Sequence, residues 1–581
     1  MMVGRGATLV MLFALVAGCA GPNAPSSAGS QSAVPAVSNT EPAAGRPSGP
    51  KRVVVAIGGN PNTLSNAISR AGSGGVPGVD ALEDLVNAGL SQADDGGVLR
   101  PQLAEAVPSI ENGQWRLLPD GRMETTWKLR PNARWHDGTA VTADDLAFTV
   151  RVGQDKEIPA LGNAGFNAIE GIDTPDARTV TVRWKQTFVQ ADTLFTSAFG
   201  IPVPKHILER TFVEDKANFV QHPYWTTEFI GTGPFRVRTW TQDSHMILAA
   251  NDAFVLGRPK VDEVEVRFIP DPNTMIANVL AGEVELTMGR ALSLEQAVQL
   301  RDQWREGKLG TVLSSWIAAY PQLLTPSPAI IGDARFRRAL LHAVDRQQMV
   351  DALQAGQSMV AHSYLSPREP DYKEIEASIV RYDYDLRRAT EIVESLGYVR
   401  GADGGLRDAA GQRLGFEVRT TGGDDLQEKS MFAMADAWQR LGIAVEATVV
   451  PRQRAQDREY RANFPGFEEV RQPNDLSPAA LTRYHGAEAS LPENSYRGSN
   501  RMRYSSRELD TLIDRYYVTV PKPERTQALS QITRHMTDQV IPLGMFYNTQ
   551  PTMIANRLLN VGPGGSSVTP AWNSHAWDVR G

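Results

Sequence analysis

The chain offers few combinations of side chains whose types and spacing could support catalysis. Its nine histidines are scattered and no two lie four residues apart, so no multi-histidine metal site is indicated locally. The single Ser-x-x-Lys, from Ser48 to Lys51, lacks the Ser-Asp-Asn and Lys-Thr-Gly companions of an acyl-transfer enzyme. A His-Glu-x-x-His motif, a Gly-x-Ser-x-Gly turn and a Gly-rich phosphate loop are also missing. We therefore expect no enzymatic activity, cofactor or metal, and a hydrolase or transpeptidase is disfavoured.

Cys19 is the only cysteine of the 581-residue chain, and its position indicates a lipid attachment site. Arg5 precedes an apolar run from Ala7 to Ala17. That run is about half of the roughly 20 apolar residues that a membrane-spanning helix needs, so residues 1–18 are predicted to be a secretory signal peptide. The sequence Val16-Ala17-Gly18-Cys19 resembles a bacterial lipobox, in which the cysteine becomes the first mature residue and carries the lipid.

The segment after Cys19 predicts how the mature protein is held. Residues 19–50 consist mostly of Gly, Pro, Ala, Ser, Asn and Gln, which predicts a flexible tether between the lipid and the folded part. We therefore expect an extracytoplasmic protein that is anchored to the cell membrane. A single thiol forms no intramolecular disulfide, so stability must come from core burial. The net charge of −7 argues against nucleic acid as a partner, because phosphate-binding proteins need clustered Lys and Arg.

The elements that position any site alternate between strands and helices, which indicates an α/β fold with more than one lobe. Thr142 and Asp145 form an N-terminal capping pair, and Asp345 restarts a helix. Ser505 and Glu508 predict a second capping box. After about residue 273 we expect helices to dominate, because apolar residues recur at helical spacing. The predicted strands are Val53–Ile57, Met123–Arg130, Thr179–Trp184, Met246–Ala250, Val261–Phe268 and Val445–Val450.

An ordered set of motifs carries a family resemblance. The segment Leu129–Leu146 reads Leu-Arg-Pro-Asn-Ala-Arg-Trp-His-Asp-Gly-Thr-Ala-Val-Thr-Ala-Asp-Asp-Leu. Three later blocks follow it: Gly231–Phe235, Arg337–Arg346 and Tyr384–Tyr398. In composition and order these blocks resemble extracellular solute-binding protein family 5, the peptide- and nickel-binding proteins of ABC importers, over roughly residues 53–575. In the first block, we expect Trp135 to pack, Gly138 to form a turn and Thr142 to cap a helix.

This resemblance implies a domain organisation. The fold would be a large, three-domain, two-lobed periplasmic-binding-protein type with the ligand in a cleft between the lobes. Lobe I would comprise 51–95, 196–291 and 546–581, with an inserted domain at 96–195 and lobe II at 292–545. The lobes would close on the ligand by a hinge motion.

The resemblance also implies where a ligand would bind. In peptide-binding relatives the ligand backbone pairs as an added strand, and an acidic residue of the second lobe holds the free amino group. The matching segment here, 464–475, lacks the usual Trp-x-x-Asp pattern, which puts peptide specificity in question. The candidate ligand contacts are the carboxylates Glu468, Glu469 and Asp475, the rings of Phe464, Phe467 and Tyr484, and the backbone of Gly74, Gly75 and Val76.

The function implied is that of the substrate-binding component of an ABC importer. Such a protein captures an oligopeptide-like solute and delivers it to the membrane permease, and we expect it to act as a monomer. Two alternatives stay open. The same fold could bind a non-peptide solute such as an oligosaccharide, an opine or a metal chelate, or the protein could be a lipoprotein sensor that passes a bound signal to a membrane receptor.

Overall fold

The computed structural model describes residues 49–73, 75–474, 478–566 and 568–580. The predicted signal peptide, Cys19 and the predicted tether up to residue 48 lie outside these residues, as do Gly74 and Asp475. No helix in this described part combines the length and apolarity that crossing a bilayer requires. In the same ranges, no group of three or more His, Cys, Asp or Glu side chains is placed to hold a metal ion.

The secondary structure mixes strands and helices along the whole described part. The strands are β1 Arg52–Ile57, β2 Ser91–Ala93, β3 Leu99–Pro101, β4 Trp115–Leu117, β5 Met123–Lys128, β6 Ile169–Asp176, β7 Thr179–Trp184, β8 Phe235–Thr241, β9 His245–Ala250, β10 Glu263–Phe268, β11 Leu286–Met288, β12 Gly307–Pro321, β13 Val399–Arg400, β14 Leu406–Arg407, β15 Gly415–Thr421, β16 Ala444–Val450, β17 Phe467–Gln472, β18 Leu543–Ala555, β19 Leu558–Leu559 and β20 Asp578–Val579. The α-helices are α1 Asn66–Ser73, α2 Val79–Val86, α3 Ala143–Gly153, α4 Ala164–Ala168, α5 Lys205–Glu214, α6 Pro272–Leu280, α7 Leu294–Gln303, α8 Ala334–His342, α9 Arg346–Leu353, α10 Tyr372–Ile375, α11 Leu386–Ser395, α12 Asp425–Arg440, α13 Arg458–Ala462, α14 Pro478–Thr482, α15 Arg507–Val518 and α16 Lys522–Gln539.

The largest sheet of the described residues has ten strands in the order β16-β15-β17-β12-β18-β11-β1-β10-β9-β8. Its two longest strands, β12 and β18, are antiparallel neighbours. On one side of them β1 pairs in parallel with β10 and β11, and on the other β15 pairs in parallel with β16 and β17. Because β17 also pairs with β12, Glu468 lies directly opposite Tyr320.

A second sheet, in the order β4-β5-β7-β6, has a core of its own. The side chains of Trp127, Trp135 and Trp184 are buried in it, which confirms the predicted packing role of Trp135. Gly138 has a φ of 90°, a value that favours glycine, so the predicted turn is also confirmed. Thr142 and Asp145 cap α3 reciprocally, since the Asp145 carboxylate accepts the Thr142 backbone N–H at 2.8 Å.

Most sequence-predicted elements are present, with two corrections. The helix predicted to start at Ser505 is instead capped by Ser506, whose hydroxyl accepts the Leu509 N–H at 3.4 Å. Helical residues outnumber strand residues after residue 273 as expected, but the two longest strands of the described residues, β12 and β18, also lie there and were not predicted. Their inner residues are buried on both faces, so they lack the two-residue alternation that marks a strand.

Buried apolar residues form four clusters, and one strand contributes to three of them. Leu543 and Phe546 of β18 belong to the cluster with α8 and α12, and Tyr547 belongs to the cluster with α15 and α16. Further along the same strand, Met553 and Ile554 pack in the cluster built on β1 and β10. The domain limits stated above stay a prediction.

Candidate functional site

The two faces of β17 present different chemistry. Phe467 packs between Phe416 and Trp438, at ring centroid distances of 5.1 Å to each. Arg471, four residues later on the same face, donates to the Asp424 carboxylate at 2.9 Å. Glu468 points to the opposite face, because side chains alternate along a strand. The predicted segment therefore directs Phe467 and Arg471 to the α12 side of the sheet and Glu468 to the other side.

Glu468 forms a buried ion pair. Its side chain is 4% exposed, and Arg501 donates to it across 3.3 Å. The Arg501 guanidinium also lies over the ring of Tyr320, 6.0 Å from its centroid. Because a charge-assisted hydrogen bond is stronger in a water-poor environment, this pair fixes the position of both charges.

Tyrosines and an amide extend this polar group. Tyr484 is buried beside Tyr320, and its ring lies 6.0 Å from that of Tyr364. The Tyr364 hydroxyl and the Asn474 side-chain amide are buried without a hydrogen-bond partner among the described residues. Burial raises the pKa of Tyr364 and of Tyr484 well above the usual value, so both hydroxyls stay protonated donors.

We refer to these residues as the Glu468 cluster, which comprises Tyr320, Tyr364, Glu468, Asn474, Tyr484 and Arg501. Leaving a buried polar group without a partner costs about 1–3 kcal/mol. The Tyr364 hydroxyl and the Asn474 amide are two such groups, and Tyr364 packs in one cluster of buried residues with Tyr320 and Tyr484. A polar group on the ligand could meet the donors that the protein itself leaves unsatisfied.

Glu469, the next residue on β17, has a different environment. Its side chain is 1% exposed, and no cation pairs with its carboxyl in the described ranges, although the Ser430 side chain lies beside it. Burial, and secondarily the charge of Asp424, raise the pKa of Glu469 well above its usual value of 4.5. The Glu469 carboxyl therefore favours its neutral, protonated form, and it lies on the α12 face, away from Arg501.

The predicted apolar walls lie in the core. Phe464 is 1% exposed, and the Arg419 guanidinium lies 5.3 Å from its ring centroid. Phe467 is fully buried under α12, and Tyr484 belongs to the Glu468 cluster. This burial favours packing roles for Phe464 and Phe467, whose contact with a ligand stays a prediction. Asp475 lies outside the described residues, and its predicted role is untested.

The predicted first-lobe loop uses much of its backbone for its own fold. The Val76 N–H donates to the Ser69 hydroxyl at 3.1 Å, and the Val76 carbonyl accepts the Val79 N–H at 3.2 Å. Gly75 has a φ of 93°. Gly59 packs so closely that a Cβ there would lie 2.3 Å from Val76. Backbone contact between Gly75, Val76 and a ligand stays a prediction, while Gly74 is not among the described residues.

A groove of about 680 Å³ lies beside this loop. Its walls include Arg290, Asp424, Lys429 and Arg471. The Gly58 backbone lies against Arg290, so the groove borders the turn that follows β1. Charges of both signs line it and the Arg471–Asp424 pair is already formed, whereas the Tyr364 hydroxyl and the Asn474 amide, which have no partner among the described residues, lie outside it.

Sequence reasoning did not identify Arg501 or Tyr320. Tyr320 is brought to Glu468 only by the pairing of β12 with β17, across about 150 residues of sequence. Arg501 comes from the loop before α15. The clustering of arginines at 497, 501 and 503 is the sequence signal that could have indicated a basic site there.

Comparison with known proteins gives consistent matches. The family model for bacterial extracellular solute-binding proteins, family 5 Middle, matches residues 99–486. The oligopeptide-binding protein AppA of Bacillus subtilis is 24% identical over 416 residues, covering 71% of this chain and 72% of AppA. The crystal structure of an oligopeptide-binding protein from Thermus thermophilus with a pentapeptide has a TM-score of 0.66 at 23% identity, over 92% of this chain and 97% of that one. The periplasmic EDTA-binding protein EppA has a TM-score of 0.73 at 17% identity, over 92% and 98%.

Proposed function

The chain belongs to the bacterial extracellular solute-binding proteins of family 5, and we propose that it captures a peptide-like solute for an ABC importer. The solute would be delivered to a membrane permease, and the protein would act as a binding protein without a catalytic step. The peptide assignment is supported by the names of its relatives, of which AppA is an oligopeptide-binding protein.

The Glu468 cluster carries this proposal. It combines a buried ion pair with two buried donors that have no partner in the described part of the chain. A peptide is rich in carbonyl oxygens, which accept hydrogen bonds from such donors regardless of side-chain sequence. Tyr364, Asn474 and Tyr484 would therefore contact the ligand, while Arg501 would hold Glu468 in place.

A binding experiment tests the cargo. Native mass spectrometry of the purified protein should reveal a bound species with a peptide mass. Where none co-purifies, calorimetry with a synthetic pool of peptides of about three to six residues should detect binding, because strand-like pairing is tolerant of sequence. A bound saccharide, opine or metal chelate, or no heat with the peptide pool, would overturn the peptide assignment.

A matched pair of variants tests the cluster. Tyr364→Phe removes one unpartnered hydroxyl and keeps the ring, so affinity for the pool should fall several-fold with little change in stability. Tyr384→Phe, at a residue that is 53% exposed, serves as the control. Equal affinities of wild type and Tyr364→Phe would exclude that hydroxyl from the site.

Membrane anchoring through Cys19 is a further part of the proposed function. The lone cysteine follows Val16-Ala17-Gly18, so lipid would be added there after the signal peptide is removed. Cys19→Ser should move the protein from the membrane to the soluble fraction, whereas Ala24→Ser in the tether should not. Equal membrane retention of Cys19→Ser and wild type would contradict lipidation.

Two lobes that close on the ligand complete the proposal. The limits are those given by the family resemblance, with lobe I at 51–95, 196–291 and 546–581, an inserted domain at 96–195, and lobe II at 292–545. Solution scattering should record a smaller radius of gyration when cargo saturates the protein, because hinge closure brings the lobes together. An unchanged scattering profile at saturation would rule out closure.

A further inference from the structure

A pocket lined by arginines lies next to the Glu468 cluster. It has a volume of about 380 Å³ and is formed by α13 and the loop that precedes α15. We call it the arginine pocket, and its lining residues are Arg458, Arg461, Ser490, Tyr496, Arg497, Gly498, Ser499 and Arg501. Arg501 belongs to both sites, so the pocket reaches the buried ion pair with Glu468.

Four arginines and no acidic residue are among the described residues that line this pocket, although Glu459 and Glu488 accept hydrogen bonds from its Tyr496 and Ser499 hydroxyls. In the described part of the chain, Arg501 pairs with Glu468, but Arg458, Arg461 and Arg497 form no ion pair. The buried Nε of Arg461 also has no hydrogen-bond partner there. Burial, followed by repulsion from Arg501, lowers the pKa of the Arg461 guanidinium. An anion entering the pocket would satisfy this donor and relieve the repulsion between like charges.

The wall of the pocket is a fixed loop. Ser495 and Tyr496 have φ values of 53° and 55°, a region that is strained for residues other than glycine. The Ser490 hydroxyl donates to the Tyr496 carbonyl at 3.0 Å, and a Cβ on Gly498 would lie 2.3 Å from the Glu488 carbonyl oxygen. Strained backbone that the surroundings hold in place is a feature of ligand sites.

We propose that the arginine pocket binds a carboxylate of the captured solute, so that the protein selects anionic ligands. This inference rests on the proposed function. An arginine guanidinium presents a planar pair of donors that matches a carboxylate in a bidentate arrangement. Because Arg501 both lines the pocket and pairs with Glu468, a carboxylate bound to Arg461 would lie beside the Glu468 cluster.

Two sources of carboxylate are open to a peptide, its C-terminus and its acidic side chains. Calorimetry with three peptide pools of about three to six residues separates them. One pool has free C-termini and no Asp or Glu, the second is the same pool amidated, and the third is amidated but contains Asp and Glu. We expect the amidated neutral pool to bind at least about tenfold more weakly than one of the two pools that carry a carboxylate.

Arginine variants then test whether the preference for a carboxylate arises in the arginine pocket. Arg461→Gln and Arg497→Gln remove charges that form no ion pair in the described residues, so each should reduce binding of the carboxylate pool several-fold while leaving the amidated neutral pool unchanged. Arg440→Gln on α12, which is 61% exposed, serves as the control. A circular dichroism melt checks that each variant folds.

The outcomes separate this inference from the proposed function. Equal binding of all three pools by wild type would overturn carboxylate capture and leave peptide binding intact. A carboxylate preference that survives both Arg461→Gln and Arg497→Gln would also overturn the role of this pocket. Failure of every pool to bind would overturn the proposed function itself, and the pocket's role with it.

Discussion

Glu468 and Glu469 are neighbours in sequence with the same side chain, yet the structure gives them opposite electrostatic roles. Glu468 is on the face of β17 that meets Arg501, Tyr320 and the arginine pocket, and its charge is compensated there. Glu469 is on the face covered by α12, where burial raises its pKa and no cation pairs with it in the described ranges. The electrostatic environment of a glutamate on β17 therefore depends on which face of the sheet its side chain occupies.

The comparison separates a layer that provides stability from a layer suited to binding. Under α12, Phe467 is enclosed by Phe416 and Trp438 in a cluster of buried apolar residues. On the other face, buried donors lack partners and a basic pocket opens to solvent. The α12 face also buries polar groups, among them Glu469 and the Nε of Arg471, which has no partner among the described residues, so the other face is distinguished by the basic pocket that opens beside it.

The largest loss of stability is expected from a substitution on the α12 face. Phe467→Ala removes a fully buried ring and should lower the free energy of unfolding by about 3–5 kcal/mol. Phe432→Ala, on α12 but 49% exposed, should cost less than about 1 kcal/mol. Urea unfolding followed by tryptophan fluorescence measures both values. A similarly small loss of unfolding free energy in both variants would contradict the core position of Phe467.

A substitution at Glu468 is expected to cause an intermediate loss of stability. Glu468→Gln leaves the Arg501 guanidinium without its counter-charge while keeping one acceptor, so unfolding free energy should fall by about 2 kcal/mol. Glu446→Gln, on an exposed position of β16, is the control and should change it by less than about 0.5 kcal/mol. Because the two charges are coupled, Glu468→Met combined with Arg501→Met should cost less than the sum of the single changes. Simple additivity of those costs would mean that the ion pair is not formed.

The smallest change in stability at neutral pH is expected from a substitution at Glu469. Its raised pKa keeps the carboxyl protonated, so Glu469→Gln replaces one neutral group by another of similar shape and should change stability by less than about 1 kcal/mol. The contrast with Glu468→Gln tests the two-face comparison directly. A loss at Glu469 as large as that at Glu468 would indicate a charged Glu469.

The pH dependence of stability tests the same contrast between Glu468 and Glu469. A folded-state pKa above the unfolded value of 4.5 means that the native protein holds the Glu469 proton more tightly, so stability falls as pH rises from about 5 toward that raised pKa. Glu469→Gln should remove this part of the decline, which begins at about pH 5. Two other buried carboxyls titrate in this range, because burial raises the pKa of Glu83 to about 8 and that of Asp84 to about 7. Both are present in the wild type and in Glu469→Gln, so the difference between the stability profiles of these two proteins isolates Glu469. Parallel profiles would contradict the raised pKa.

The sequence by itself determined the local elements of this protein and its family resemblance. Strand β7 has the predicted limits, and Thr142 with Asp145 caps α3 as predicted, because turns and caps depend on residues a few positions apart. The ordered motifs between residues 129 and 398 carried the family assignment, which the match over 99–486 confirms.

Tertiary structure alone decided which residues form the site. Glu468 and Glu469 could not be ranked from sequence, because a shift of one position along a strand exchanges its two faces. Arg501 and Tyr320 meet Glu468 through strand pairing and a loop packed from a distant part of the chain. The strands β12 and β18 escaped prediction for the same reason: their pattern reflects burial by neighbours on both faces, and those neighbours are supplied by the fold.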